Sequence, residues 1–136
     1  MSELHIPGVL FLCVHNAGRS QMGAGFMRQL GAGNVRVFSG GSEPASKVNP
    51  SAVEAMREVG IDIADYVPQK WSMEMLHEVD VVVTMGCGDT CPYIPGKRYV
   101  DWPLDDPAGQ GVDAVRPIRD QIKSLVEMLL AELAVR

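Results

Sequence analysis

A continuous apolar run near the start of the chain limits its possible folds more than any other feature. Residues 8–14 read GVLFLCV, without a charged or strongly polar side chain on either face. Such a strand is typical of the centre of a parallel sheet, where helices cover both faces. We therefore expect an α/β fold in which this run is a central strand.

The rest of the chain alternates predicted helices and strands. The predicted helices lie at residues 18–30, 50–59 and 72–78, and from residue 112 onward. The predicted strands lie at residues 8–14, 35–39, 79–85 and 98–101. Asn49 is the predicted cap of the second helix, with Pro50 in its first turn. Because strand–helix–strand units favour parallel pairing, the pattern predicts a three-layer sandwich with a four-stranded parallel sheet, in a single domain over residues 1–136.

The loop that follows the first predicted strand has the composition of an oxyanion site. It reads CVHNAGRS, so that five residues separate Cys13 from an Arg–Ser pair at the start of a predicted helix. Backbone N–H groups and the helix dipole favour a bound anion and a thiolate there. Arg19 can hold two oxygens of the anion, and the Ser20 hydroxyl can donate to the sulfur. A buried structural cysteine is the alternative. The candidate oxyanion-binding residues are Val14, His15, Asn16, Ala17, Gly18, Arg19 and Ser20.

Two further cysteines follow the third predicted strand. Cys87 and Cys91 are four residues apart, which on a helix places Cβ atoms about 5–6 Å apart. A disulfide needs about 3.8 Å, so the turn would have to tighten or unwind. Because parallel strands end at one edge of a sheet, Cys13 and Cys87 are expected at the same rim. A relay of three thiols is one interpretation; half of a zinc site is the other, although no nearby histidine or further cysteine completes it.

An aspartate–proline pair late in the chain supplies a candidate general acid. Asp106 stands directly before Pro107, which holds the acid extended in a loop. At the rim of the sheet it could protonate a departing oxygen, whereas the alternative interpretation is a plain turn. The three histidines have no partner at ligand spacing, and no metal or cofactor is expected.

Composition and charge argue against several other classes of protein. The net charge of −5 disfavours nucleic acid or an anionic membrane as a main partner. No stretch approaches the roughly 18 apolar residues of a membrane span, and the N-terminus lacks a signal-peptide pattern. Three cysteines, an odd number, are more often reactive than structural in a reducing compartment. We therefore expect a cytoplasmic enzyme.

The motifs together resemble those of the low-molecular-weight tyrosine phosphatase superfamily, and more closely those of the arsenate reductases built on that fold. The similar stretches are Ser20-Gln21-Met22, Asn49-Pro50, Ala55-Met56, residues 82–85, Cys91-Pro92 and Asp105-Asp106-Pro107. Two departures from the phosphatases favour the reductases. Ala-Gly follows Pro107 where the phosphatases usually carry tyrosines, and a cysteine pair follows the third strand.

This resemblance implies the reduction of arsenate to arsenite. Cys13 attacks the arsenic of an arsenate held by the loop and Arg19, while Asp106 protonates the leaving water. Cys87 then attacks Cys13 and releases arsenite, and Cys91 attacks Cys87 to leave a Cys87–Cys91 disulfide. The implied reductant is thioredoxin. The alternative is a low-molecular-weight thiol, mycothiol or glutathione, with its own redoxin, such as mycoredoxin.

Other interpretations of the sequence stay open at this point. The thioredoxin-coupled reductases typically have more than three residues between the second and third cysteines. They also carry acidic potassium ligands where this chain has Ala24 and Gln69. A phosphomonoester hydrolase that uses Cys13, Arg19 and Asp106 but not the cysteine pair is a second class of function. A module that senses arsenic or a metal through three thiols is a third.

Overall fold

The computed structural model describes residues 6–85, 95–105 and 109–134, which form an α/β structure. Its strands are β1 (Gly8–Leu12), β2 (Arg36–Gly40), β3 (Val81–Thr84) and β4 (Arg98–Asp101). Its helices are α1 (Arg19–Gly31), α2 (Pro50–Arg57), α3 (Met73–Glu78) and α4 (Val112–Ala134). Every strand and helix predicted from the sequence is therefore found, with ends that shift by a few residues.

The four strands form one parallel sheet in the order β2-β1-β3-β4. Strand β1 lies inside the sheet, and its Leu10 is in register with Phe38 of β2 and Val82 of β3. The chain thus runs from β1 to β2 on one side of β1, and β3 later pairs with the other side of β1. In open sheets of this kind ligands bind at such a switch point, beyond the carboxyl ends of the strands.

The core lies on both faces of β1, as its apolar sequence predicted. Val9 and Phe11 belong to the larger cluster, which α1, α2 and α4 complete, and both are fully buried. Leu10 and Leu12 belong to a smaller cluster that includes Leu76 of α3. The predicted three-layer sandwich with a four-stranded parallel sheet is confirmed, and the short α3 supplies the helix of its thinner outer layer.

Local hydrogen bonds explain where three helices begin or end. The Asn49 side chain accepts a hydrogen bond from the Ser51 backbone N–H at 2.9 Å, so the predicted cap of α2 is confirmed. Ser72 caps α3 in the same way. Helix α1 ends at its cap residue Ala32, which adopts the left-handed conformation (φ 48°) and donates to the Arg28 carbonyl.

None of the helices within the described ranges has both the length and the apolar character needed to cross a membrane.

Candidate active site

Cys13 directly follows β1, at the switch point beyond the carboxyl ends of the strands. Its residue is buried, with 3% of its surface exposed. Its Sγ lies 2.9 Å from Ser20 Oγ at the start of α1, so the loop brings thiol and hydroxyl into contact. The strand places the thiol and the helix places the hydroxyl; this explains the spacing of seven residues between them.

The loop between β1 and α1 is held open by donors outside it. Four consecutive carbonyl oxygens accept hydrogen bonds, with the pairs Val14 O to Glu43 N (2.9 Å), His15 O to Ala45 N (2.9 Å), Asn16 O to Gln21 Nε2 (2.9 Å) and Ala17 O to Asn49 N (2.8 Å). Within a trans peptide unit the N–H points opposite to the C=O. The N–H groups of residues 15–18 therefore point away from these outside donors, which is the arrangement that an oxyanion-binding loop needs.

Arg19 is fixed at the same rim. Only 5% of the residue is exposed, and its Nη1 donates to the carbonyl oxygens of Met85 (2.6 Å) and Leu104 (3.2 Å). Met85 directly follows β3, and Leu104 lies shortly after β4. The guanidinium thus bonds to the segments that follow β3 and β4, and it lies beside the loop that follows β1.

Three of the predicted site residues cannot be placed in this way. Cys87 and Cys91 fall in residues 86–94 and Asp106 falls in residues 106–108, and both stretches lie outside the described residues. The roles assigned to these three side chains from the sequence therefore stay predictions. The structure brings together Cys13, Arg19 and Ser20.

A cavity of about 260 Å³ opens beside the thiol. Its walls come from the loop, from residues 45–50 and from Gly109. Lys47 and Arg19 supply positive charge, and no carboxylate belongs to the described lining. Such a lining favours an anion over a neutral or cationic ligand.

His15 also lines this cavity, although no sequence pattern singles out its side chain. Its Nδ1 lies 2.9 Å from the Glu43 carbonyl oxygen. Because a carbonyl oxygen can only accept, Nδ1 carries the hydrogen. Its position two residues after Cys13 was the one available signal. Lys47 had none, because residues 43–49 reach the site through backbone hydrogen bonds.

A buried polar network lies against the thiol. Asn16 is fully buried in the left-handed region (φ 50°), and its Nδ2 donates to Ser20 Oγ at 2.8 Å. Gln69 reaches this network with its backbone N–H, and its Nε2 donates to the Ser39 carbonyl oxygen at 3.0 Å. In the part of the chain that the structure describes, no group of three His, Cys, Asp or Glu side chains is arranged to hold a metal.

Trp102 belongs to the core. Its residue is 6% exposed, and its ring lies 5.9 Å from that of Phe11, tilted by 54°. These contacts are those of packing.

Known proteins similar to this chain share both its sequence and its fold. The family model for low molecular weight phosphotyrosine protein phosphatase matches residues 8–136. A glutaredoxin arsenate reductase of Synechocystis sp. is 40% identical over 129 residues, which cover 93% of this chain and 98% of the relative.

Two solved structures extend this similarity. One, of an arsenate reductase in the phosphate binding state, is 38% identical with a TM-score of 0.81 and covers 93% of this chain and 98% of its own. The other is a thioredoxin-dependent arsenate reductase of Corynebacterium glutamicum, 37% identical with a TM-score of 0.85. That match covers 96% of this chain, which spans 63% of the Corynebacterium protein.

Proposed function

Since the chain belongs to the low molecular weight phosphotyrosine protein phosphatase family, we propose that it reduces arsenate to arsenite with Cys13 as the nucleophile. The observation that carries this proposal is the meeting of a buried thiol, a hydroxyl and a guanidinium at a loop that lines one cavity and whose carbonyl oxygens are held from outside the loop. Relatives named arsenate reductase are 37–40% identical over nearly the whole chain, which supports arsenate as the substrate.

The first step forms a bond between sulfur and arsenic. The N–H groups of residues 15–18 and the Arg19 guanidinium hold the oxygens of arsenate while the Cys13 thiolate attacks the arsenic. Asp106 donates the proton with which one oxygen departs as water. Support for Asp106 comes from its neighbour Leu104, two residues earlier, whose carbonyl oxygen contacts Arg19.

The second step reduces the arsenic. Cys87 attacks the Cys13 sulfur, the sulfur–arsenic bond breaks, and its electron pair stays on arsenic, which leaves as arsenite. Cys91 then attacks Cys87, so Cys13 returns to a thiol and a Cys87–Cys91 disulfide remains. Support for Cys87 as the thiol that attacks Cys13 comes from Met85, whose carbonyl oxygen contacts Arg19 and which precedes Cys87 by two residues.

Thioredoxin is the reductant that we propose for this disulfide. An internal relay presents a disulfide to a protein partner, and one similar structure is that of a thioredoxin-dependent arsenate reductase. The second candidate is a small thiol with a redoxin, mycothiol with mycoredoxin or glutathione with glutaredoxin. The relative named glutaredoxin arsenate reductase favours this candidate.

Arsenate-dependent oxidation of NADPH tests the function and the donor together. The purified protein is assayed with thioredoxin and thioredoxin reductase, and separately with each small-thiol system. We expect turnover with thioredoxin, abolished in Cys13→Ser and limited to one event in Cys91→Ser. Turnover only with a small thiol would still identify the protein as an arsenate reductase, but it would overturn the three-cysteine relay.

The hydrolysis of phosphomonoesters is the competing function, because it would use Cys13 and Arg19 in the same way. The cysteine pair separates the two. Replacing Cys87 or Cys91 by serine should stop repeated turnover of arsenate while leaving any hydrolysis of an aryl phosphate unchanged. Silence in every reductase assay, together with rapid aryl phosphate hydrolysis, would overturn the proposal.

A further inference from the structure

We propose that Gln21 and Gln69 are positioning residues that direct the hydroxyl proton of Ser20 at the sulfur of Cys13. The inference rests on the proposed role of Cys13 as nucleophile and adds two residues that touch neither substrate nor sulfur. Its basis is the direction of each hydrogen bond in the network, which can be followed outward from backbone groups whose donor or acceptor nature is fixed.

The first fixed point is the carbonyl oxygen of Asn16. The end of the Gln21 side chain lies 2.9 Å from it, and a carbonyl oxygen only accepts, so the atom facing it is Nε2. Gln21 is 1% exposed, which leaves its amide no exchange with bulk water. The second hydrogen of the same Nε2 lies toward Asn16 Oδ1, at 3.1 Å.

The second fixed point is the backbone N–H of Gln69, which only donates. It lies 2.9 Å from Asn16 Oδ1, so this atom of the Asn16 amide receives two donors, one from each glutamine. If the Asn16 amide were reversed, its NH₂ group would face both of these N–H donors. The Asn16 amide is therefore fixed in one orientation, with Nδ2 toward Ser20.

The Ser20 hydroxyl then has a single direction left for its proton. Its Oγ accepts from Asn16 Nδ2 at 2.8 Å, and Cys13 Sγ lies 2.9 Å away on another side. The hydroxyl therefore donates to the sulfur, which favours the thiolate over the thiol. With Asn16 reversed, Oδ1 would take the Ser20 proton, and a lone pair of Oγ would face the sulfur and favour the thiol.

The backbone around Gln69 is itself anchored. Its Nε2 donates to the Ser39 carbonyl oxygen, and its own carbonyl oxygen accepts from the Gly41 N–H at 3.0 Å. The Gln69 side chain thus holds the N–H that fixes Asn16.

The rate of Cys13 alkylation by iodoacetamide, measured against pH, tests the proposal. Every variant carries Cys87→Ser and Cys91→Ser, so that Cys13 is the one thiol left. Ser20→Ala should slow alkylation at neutral pH about tenfold, because a hydrogen bond to the thiolate is lost, and should move the pH profile upward. Gln21→Met, which keeps the length but removes both donors, should act in the same direction.

The decisive comparison combines the two changes. With Ser20→Ala present, Gln21→Met should slow alkylation no further, because the hydroxyl through which Gln21 acts is gone. An equal slowing in both backgrounds, or no slowing in either, would overturn the proposal. Gln29→Met, on the exposed side of the same helix, is the matched control and should match the parent.

Gln69→Met keeps the test decisive if Gln21→Met fails to fold. Gln69 is exposed, and its replacement removes only the hydrogen bond to Ser39. The folded variant should show slower alkylation that also depends on the presence of Ser20, and an unchanged rate would overturn the proposal. No arsenate takes part in these measurements, so their outcome is independent of whether the protein proves to be a reductase.

Discussion

Replacing Gly41 by alanine should displace the oxyanion loop. A Cβ atom on Gly41 would lie 2.3 Å from the Cys13 carbonyl oxygen and 2.4 Å from that of Val14. Both are backbone atoms, and the Val14 oxygen is also held by the Glu43 N–H, so neither can rotate away. The contact must open by at least about 0.7 Å to reach 3.0 Å, below which real Cβ contacts are essentially never found.

The size of the effect follows from this displacement. Forcing an extra methyl group into a packed site costs about 1–3 kcal/mol of unfolding free energy. A shift approaching 1 Å in groups that position a substrate costs about 100-fold in rate. We therefore expect Gly41→Ala to fold with lower stability and to lose about two orders of magnitude in kcat/KM for arsenate.

Urea denaturation and steady-state turnover with arsenate measure the two effects. The matched control is Gly31→Ala in the last turn of α1, where the new Cβ would lie 3.5 Å from the Val35 side chain, an ordinary contact. That control should keep full activity and gain up to about 1 kcal/mol of stability, because alanine is the better helix former. A Gly41→Ala variant within twofold of the parent in kcat/KM and equal to it in stability would refute the reasoning.

Three further predictions concern the cavity and the packing of α4. Arg19→Lys should lower kcat/KM for arsenate about 100-fold, because an ammonium cannot donate the two parallel hydrogen bonds of a planar guanidinium. Lys47→Met should raise KM about two- to fivefold with little change in kcat, because an exposed cation attracts the anion before and during reaction alike. Hydrogen bonds from Arg116 and Arg119 lower the pKa of Glu58 to about 2. The stabilising contribution of Glu58 is therefore present above its ordinary pKa near 4.5 and is lost as the pH falls toward 2, and Glu58→Gln should flatten this part of the curve of unfolding temperature against pH.

Each of these has a contrary outcome. Full activity in Arg19→Lys would mean that charge alone suffices at this position. A change in kcat rather than KM for Lys47→Met would place that side chain in the chemical step. An acid dependence of stability that is identical with and without Glu58 would mean that its ion pairs with α4 do not act in solution.

The parts of the fold that the sequence predicted are those set by local or continuous signals. The run at residues 8–14 has few alternatives to a central strand, because both of its faces must be buried. Asn49 followed by Pro50 marks a helix start through a cap that is made within two residues. The position of Cys13 between a strand and a helix could also be predicted, because its whole motif lies within one loop.

The parts of the site that the sequence did not predict are held by backbone groups far along the chain. Residues 43–49 shape the loop through three N–H groups, and every residue except proline has one. Lys47 reaches the cavity as a consequence of that pairing. The contact between Gln69 and Asn16 spans 53 residues and is made by a backbone N–H, so no side-chain pattern marks it.

A single-turnover experiment without any reductant tests the central claim most directly. The pre-reduced protein is mixed with excess arsenate, and arsenite and free thiols are counted after denaturation. Because the reduction takes two electrons from two thiols, we predict one arsenite per chain and a fall from three thiols to one, with neither change in Cys13→Ser. Three intact thiols with no arsenite formed, or equal arsenite from Cys13→Ser, would contradict the account.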